Sequence, residues 1–411
     1  MRGSKAACAL AALLALTCAL PGLAQTAPPQ PPDLYQEALE SIAEGRNKDA
    51  SETLARVIES EPLHAGAWLD LALIQCALGH KDEAERIFKR IEQRFAPPPG
   101  IIELIQDARA KGCDKWQAHS YGSLALARGI DQNVNQGAAN SIFTLTRDGV
   151  PVDLVLLPEF LPQHDQYTVL SGEYLRDLTP NGTIGFAQFQ TRRNDSLTRY
   201  DSASLFGGVE TPWRVGRWTV RGTAMFGMIS LGGHLYQRQA QVQARVGPLM
   251  PLPGGAQFHV TAALTHSNYL TLQNFDSNTA ELKGQLSYRA DDFSASASAG
   301  FLRDHAVGAR AGGDRHGWLM TLQARRALGE LFTGELGYVH QDWRSDSAYS
   351  PGVIDIARHQ LTRVLRATLI YPIGKNQNLL LEARHVSNKE NISLFQYNNR
   401  QLQLSWQWNG L

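Results

Sequence analysis

Residues 401–409 read Gln-Leu-Gln-Leu-Ser-Trp-Gln-Trp-Asn. Leu402, Leu404, Trp406 and Trp408 share one parity, and Gln401, Gln403, Ser405, Gln407 and Asn409 share the other. An extended strand sorts such a segment onto two faces, because successive side chains point to opposite sides of a sheet. One face then suits hydrocarbon and the other water. The same division recurs upstream, with Gln237, Gln239, Gln241, Gln243 and Arg245 set against Ala240, Val242, Ala244 and Val246. In residues 293–301, Phe293, Ala295, Ala297, Ala299 and Phe301 oppose Ser294, Ser296, Ser298 and Gly300.

Working outward from these segments, the alternation predicts fourteen strands between residues 118 and 409, the number and spacing of an antiparallel transmembrane β-barrel occupying residues 116–411. One set of connections is short: Thr179 to Gly182, Arg214 to Gly216, Pro248 to Gly255, Asp291, Leu328 to Glu330, and Ile373 to Asn376. The other set includes the long stretches 129–164, 305–315 and 345–358. Trp116, Trp213, Trp218, Phe258, Tyr288, Phe293, Phe332, Tyr371 and Trp408 fall at strand ends on the short-turn side, where an aromatic girdle marks the edge of a lipid band. A soluble sandwich or lipocalin-like fold would send its apolar parity to a closed core and has no need of that rim. Gln237, Gln239, Gln241, Gln243, Arg245, Gln401, Gln403 and Gln407 become the candidate lumen lining, read as polar and largely uncharged.

Residues 1–24 have the form of a secretory signal peptide: Arg2 and Lys5, an apolar run from Ala6 to Leu20, then Gly22-Leu23-Ala24 before Gln25. Residues 25–32 are a Pro-rich linker. The chain holds 39 Lys+Arg and 39 Asp+Glu, and this balance gives no nucleic-acid footprint. Cys8 and Cys18 leave with the signal, so Cys76 and Cys113 are the pair available to a compartment where disulfides form; bridge and two buried thiols both remain open. Beyond the signal no apolar run reaches the ~18 residues of a spanning helix, so entry into a bilayer falls to strands.

Residues 33–115 change period. A shift of 34 residues superimposes Leu34 on Trp68, Ala38 on Ala72, Gly45 on Gly79, Ala50 on Ala84 and Leu54 on Phe88, and this spacing resembles the tetratricopeptide repeat. Trp68, Leu71, Ala72, Gly79, Ala84 and Phe88 hold the second repeat's usual large and small positions, while Glu37 and Ser41 mark the first as an end cap. Ile101 to Lys111 is expected to form a closing helix, stopped by Gly112. The concave face of such repeats would carry Tyr35, Leu39, Ile42, Leu69 and Leu73, either as an apolar client groove or as packing against the third helix or the barrel.

An all-α tetratricopeptide-like domain followed by a barrel of about 14 strands resembles the surface lipoprotein assembly modifiers, the Slam family. Its local mark is an apolar strand from Leu124 leading to Asp131-Gln132-Asn133-Val134-Asn135, similar to the Asn-rich stretch after the family's first barrel strand. The resemblance implies transport of surface lipoproteins or related secreted proteins across the outer membrane of a Gram-negative bacterium, with the helical domain in the periplasm. The partners it implies are the client, periplasmic chaperones, the barrel-assembly machinery and outer-membrane lipids.

Other classes carry less. An exopolysaccharide exporter also joins such repeats to a barrel, but with a longer solenoid and a wider barrel. A barrel enzyme needs a nucleophile, a base and an acid; His259, His266, His340 and His385 lie among many serines without a spacing that singles out such a set. No Cys-x-x-Cys, His-x-x-x-His or dinucleotide turn is present, so no cofactor or metal site is expected. A simple porin or adhesin would have little use for the helical domain.

Overall fold

The computed structural model describes residues 34–113, 118–147, 150–215, 218–248, 252 and 255–410. The signal and linker readings, Trp116 and the terminal Leu411 lie outside the described residues. Among the described residues five helices come first: α1 (Leu34–Ala43), α2 (Asn47–Ser60), α3 (Ala65–Ala77), α4 (Lys81–Phe95) and α5 (Pro99–Lys111). Ala38, Ala50, Ala67, Ala72 and Ala84 are all fully buried, so small side chains let the helices approach closely around Leu54, Phe88, Ile91 and Ile105. The 34-residue repeat is visible in the backbone, since Gly45 and Gly79 follow α1 and α3 at φ +74° and +81°, a left-handed conformation that glycine adopts without a Cβ clash. At the entry of α3, His64 Nδ1 accepts from the Ala67 amide at 3.0 Å and the Trp68 indole donates to the Pro62 carbonyl at 3.1 Å. Pro62 thereby closes the first repeat by accepting a side-chain bond as well as by ending a helix.

Among the described residues sixteen strands follow. Fourteen close into an antiparallel barrel in which each strand pairs with its chain neighbour, β4 (Asp165–Asp177) pairs back to β1 (Ser120–Asp131), and β1 also meets the last strand, β16 (Tyr397–Asn409). The closing seam runs from Ser123↔Asn409 to Asp131↔Gln401. Closure pairs every barrel strand on both edges, the condition for a sheet to stand in hydrocarbon. Leu402, Leu404 and Trp406 point outward and are exposed, with Val242, Leu264, Leu282, Phe301, Leu336 and Leu365 around the same belt. Among the expected rim aromatics, Trp213, Trp218, Phe258, Tyr288, Phe332 and Tyr371 are exposed at the turn end, and the Phe332 and Tyr371 rings meet at a 36° tilt with centroids 5.3 Å apart.

Three features depart from the expected strand map. The stretch 345–358 is largely strand: β13 (Phe332–Ser350) and β14 (Ile354–Gly374) run 19 and 21 residues, and register shifts after Arg344 carry their hairpin onward. Polar residues such as Ser345, Asp346 and Ser347 read as loop, yet an extension away from an apolar belt needs no apolar parity. Inside 129–164 a separate hairpin pairs β2 (Ile142–Arg147) with β3 (Val150–Val155). Finally, Thr198–Tyr200 is a 3₁₀ turn and the strand expected from residue 198 is β6 (Ser202–Val215).

Candidate functional site

The remaining barrel strands are β5 (Ile184–Asn194), β7 (Trp218–Leu231), β8 (His234–Pro248), β9 (Gln257–Tyr269), β10 (Ser277–Arg289), β11 (Phe293–Ala306), β12 (Arg315–Leu328) and β15 (Gln377–Glu390). On β8, Gln237, Gln239, Gln241, Gln243 and Arg245 are half-buried and alternate with exposed Arg238, Ala240, Val242 and Ala244. On β16, Gln401, Gln403 and Gln407 occupy the same inward side as Ser405 and Asn399. Register joins these into one lumen wall, for example through Gln243↔Ala263 and Glu382↔Gln403.

That wall is not neutral. Glu210 on β6 accepts from Arg221 at 3.0 Å and lies 3.7 Å from Arg245; Lys283 pairs with Glu281 at 2.9 Å, and Arg325 with Glu335 at 3.0 Å. Arg366 approaches Glu382 at 3.8 Å. The expectation of an uncharged polar lumen is corrected accordingly. Most of these partners sit on different strands, so only register brings them together, and opposed charges facing each other avoid the deep potential that a row of like charges would produce. A cleft of 450 Å³ in this wall is lined by Ser294, Ser296, Gln323, Arg325, Glu335 and Arg366.

Toward the loop end, lumen-facing side chains become buried, and one arrangement occurs three times. Arg192 meets Asp131 at 2.7 Å and lies over the Tyr167 ring at 3.9 Å. Arg315 meets Asp304 at 2.6 Å and lies over Trp343 at 4.6 Å, with Arg310 completing the carboxylate's contacts at 2.7 Å. Arg358 meets Glu390 at 2.6 Å and lies over Phe395 at 4.5 Å. A guanidinium can satisfy a carboxylate in its own plane while its face covers an aromatic ring, so each unit buries a carboxylate without orphaning it. Asn133 is buried in the same region; its side-chain amide donates to the carbonyls of Gly137 and Asn398, both at 3.0 Å, and its Oδ1 accepts from Gly137 N at 2.7 Å. Asn135 likewise bonds the carbonyls of Glu159 and Leu161. The Asp131–Asn135 stretch therefore ties the long connection down over the lumen.

At the turn end the helical domain sits on the barrel rim. Glu37 on α1 pairs with Arg214, an inward-parity residue of β6, and Arg56 lies 3.8 Å from the same carboxylate. A Cβ added to Gly182, in the β4–β5 turn, would stand 3.3 Å from the Glu44 carbonyl oxygen. Of the five candidate groove residues, Tyr35, Ile42, Leu69 and Leu73 pack against the helical core, and Leu39 remains 36% exposed. Tyr35 also donates to Asp70 Oδ2 at 2.7 Å, joining the first helices of the two repeats. Leu73 still borders open space: with Cys76, Ala77 and Ala108 it faces His119, Asp177, Thr179 and Pro180 across a 590 Å³ cleft between helices and barrel. Cys76 and Cys113 are disulfide-bonded along this cleft, Cα atoms 4.4 Å apart, tying the end of α5 to α3 just before the barrel begins.

On α5, Arg109 donates to Glu85 Oε2 at 2.9 Å and Glu92 Oε1 at 2.7 Å. The hydrogen bond from Arg109 holds the Glu92 carboxyl below its usual range, and the same bond raises the Arg109 guanidinium. The four histidines considered for catalysis are not brought together: His259 faces the lumen, and His266, His340 and His385 face outward on β9, β13 and β15. Among the described residues no group of three His, Cys, Asp or Glu side chains is placed to hold a metal ion.

Residues 41–99 match the Tetratricopeptide repeat family. No curated protein matches the chain. Solved structures similar to it include the trimer form of OmpT, an outer membrane protein of Vibrio cholerae, at 8% identity and TM-score 0.39, covering 71% of this chain and 99% of that one. The anion-selective porin of Comamonas acidovorans is 11% identical at TM-score 0.35, with 71% and 99% covered, and Salmonella typhi OmpF is 14% identical at 0.34, with 71% and 97% covered. Nothing about a substrate follows from likeness at this level.

Proposed function

We propose that this chain spans the outer membrane and exports proteins, surface lipoproteins or related secreted clients, with the helical domain on the periplasmic side. The observation that carries the reading is the seating of the helical domain on the turn-end mouth of the lumen, through Glu37 with Arg214 and the Glu44–Gly182 approach. A solute pore gains nothing from a repeat domain placed there. The apolar cleft bordered by Leu73, Ala77 and Ala108 opens beside that mouth and suits a client segment that is not yet folded. At the opposite end the three arginine–carboxylate–aromatic units and the Asn133 network hold a resting barrel packed, and passage through the lumen or along the β1–β16 seam requires some of these contacts to part.

The deciding experiment deletes the gene and compares surface exposure of each lipoprotein by protease shaving of whole cells. Loss of one client with polysaccharide intact supports protein export. Loss of capsule or matrix with every lipoprotein still exposed favours the exopolysaccharide exporter.

A further inference from the structure

Outward-facing residues of the barrel are apolar along its middle and basic toward the loop end. On β14, β15 and β16 the register sets this out in rows. Leu369↔Leu381↔Leu404 and Ala367↔Ala383↔Leu402 belong to the apolar belt; the next rows are Leu365↔His385↔Arg400 and Arg363↔Ser387↔Asn398, with Lys389 beside Leu361 above them. Arg363, His385, Lys389 and Arg400 are all exposed. Strand spacing and a two-residue offset along the strands put Arg363 and Arg400 roughly 12 Å apart, within the span of one large headgroup once their side chains reach outward.

Arg363, Lys389 and Arg400 make no ion pair among the described residues, and neither do the outward-facing Arg238 on β8 and Arg303 on β11. Asp342, the outward-facing carboxylate on neighbouring β13, is already held by Arg344 at 3.4 Å and His359 at 3.0 Å. Cations on the lipid face are tolerated near the interface and strongly disfavoured at the midplane, so this cluster belongs at the level of headgroups. Its charge demands an anion, and its continuity with Leu365, Ala383, Leu402 and Leu404 demands that the anion carry acyl chains.

We infer that Arg363, Lys389 and Arg400 form a binding site on the outer wall of the barrel for a phosphorylated, multi-acylated glycolipid of the loop-end leaflet, a lipid-A-type molecule. The inference rests on the membrane-spanning reading above. The phosphates bridge the cations on β14, β15 and β16, and the acyl chains lie along the apolar rows beneath.

The test uses the purified full chain in nanodiscs, with native mass spectrometry or thermophoresis reading the binding of diphosphorylated lipid A, dephosphorylated lipid A and inorganic phosphate. Binding of diphosphorylated lipid A is expected to weaken at least tenfold in the triple variant Arg363→Gln, Lys389→Gln, Arg400→Gln. It is expected to be unchanged in Arg326→Gln, an outward-facing cation at the turn end. Single Arg363→Gln and Lys389→Gln variants, each expected to lose about threefold, serve if the triple fails to fold. Equal binding of dephosphorylated lipid A, full competition by inorganic phosphate at millimolar concentration, or unchanged binding by the variants overturns the site. Insertion into vesicles is scored separately: a chain that inserts but shows no phosphate-dependent binding fails here alone, and one that does not insert overturns the membrane reading as well.

Discussion

The Tyr167 hydroxyl on β4 donates to Gln403 Oε1 on β16 at 3.2 Å, and the ring reaches it by lying across Gly129 on the intervening β1. A Cβ at Gly129 would stand 2.6 Å from Tyr167 Cζ and 2.9 Å from the Leu402 carbonyl oxygen. The last strand of the barrel is therefore tied to the second through the absence of a side chain on the first. Gly129→Ala is expected to destabilise the folded barrel by about 1–3 kcal/mol through overpacking, read as a lower temperature for the heat-modifiable shift on semi-native gels. Adding Tyr167→Ala should recover part of that loss, because the ring clash vanishes while the Leu402 carbonyl stays. No recovery would mean that the ring does not limit the site.

Asp131 accepts from Arg192 Nη2 at 2.7 Å and from Gln401 Nε2 at 2.8 Å, linking β5, β1 and β16 on the same lumen face. Asp131→Asn removes the charge opposite a largely buried guanidinium. Unpairing a buried ion pair costs roughly 3 kcal/mol, so the loop end of the seam should loosen. Planar-bilayer recordings should then show more frequent and larger openings than wild type, while Arg245→Gln, deeper in the lumen, should leave opening frequency unchanged.

The Cys76–Cys113 disulfide spans 37 residues and encloses α4 and α5. Closing a loop of that size stabilises the helical domain by about 2–4 kcal/mol in the chain-entropy picture. Cys113→Ser should lower the temperature at which the 222 nm helical signal melts and leave the barrel's gel shift in place. A barrel that loses its gel shift together with the helices would show that the two units unfold as one.

Much of this arrangement is legible in the chain. The inward set Gln401, Gln403, Ser405 and Gln407 could be read from parity, because a strand between two solvents has no other way to sort its side chains. The repeat glycines Gly45 and Gly79 were visible for similarly local reasons, whereas the Cys76–Cys113 bridge was not, because a sequence does not fix the distance between two Cα atoms 37 residues apart. The lumen charges were not, since Glu210 with Arg221 or Arg325 with Glu335 depends on register between strands. Nor was the seating of Glu37 against Arg214, residues far apart in sequence and neither set in a recognisable pattern. The hairpin of β2 and β3 was missed because its short strands lie inside a stretch otherwise marked by Asn, Gly and Pro.

Acid should loosen the closing helix before it disturbs the rest. Glu92 is held below its ordinary range by Arg109, so the pair's contribution is complete above the unfolded glutamate pKa and is lost as pH falls through the lower folded value. The window opens just below pH ~4.5 and extends downward. Both partners are about a third exposed, and screening limits the effect to about 1 kcal/mol or less. Thermal melts of the full chain followed at 222 nm should show the helical transition moving down between pH 5 and pH 3. In Arg109→Leu that transition should start lower and move less over the same range, since its Glu92 titrates near the unfolded value. An equal pH slope in both proteins would exclude this pair as the source.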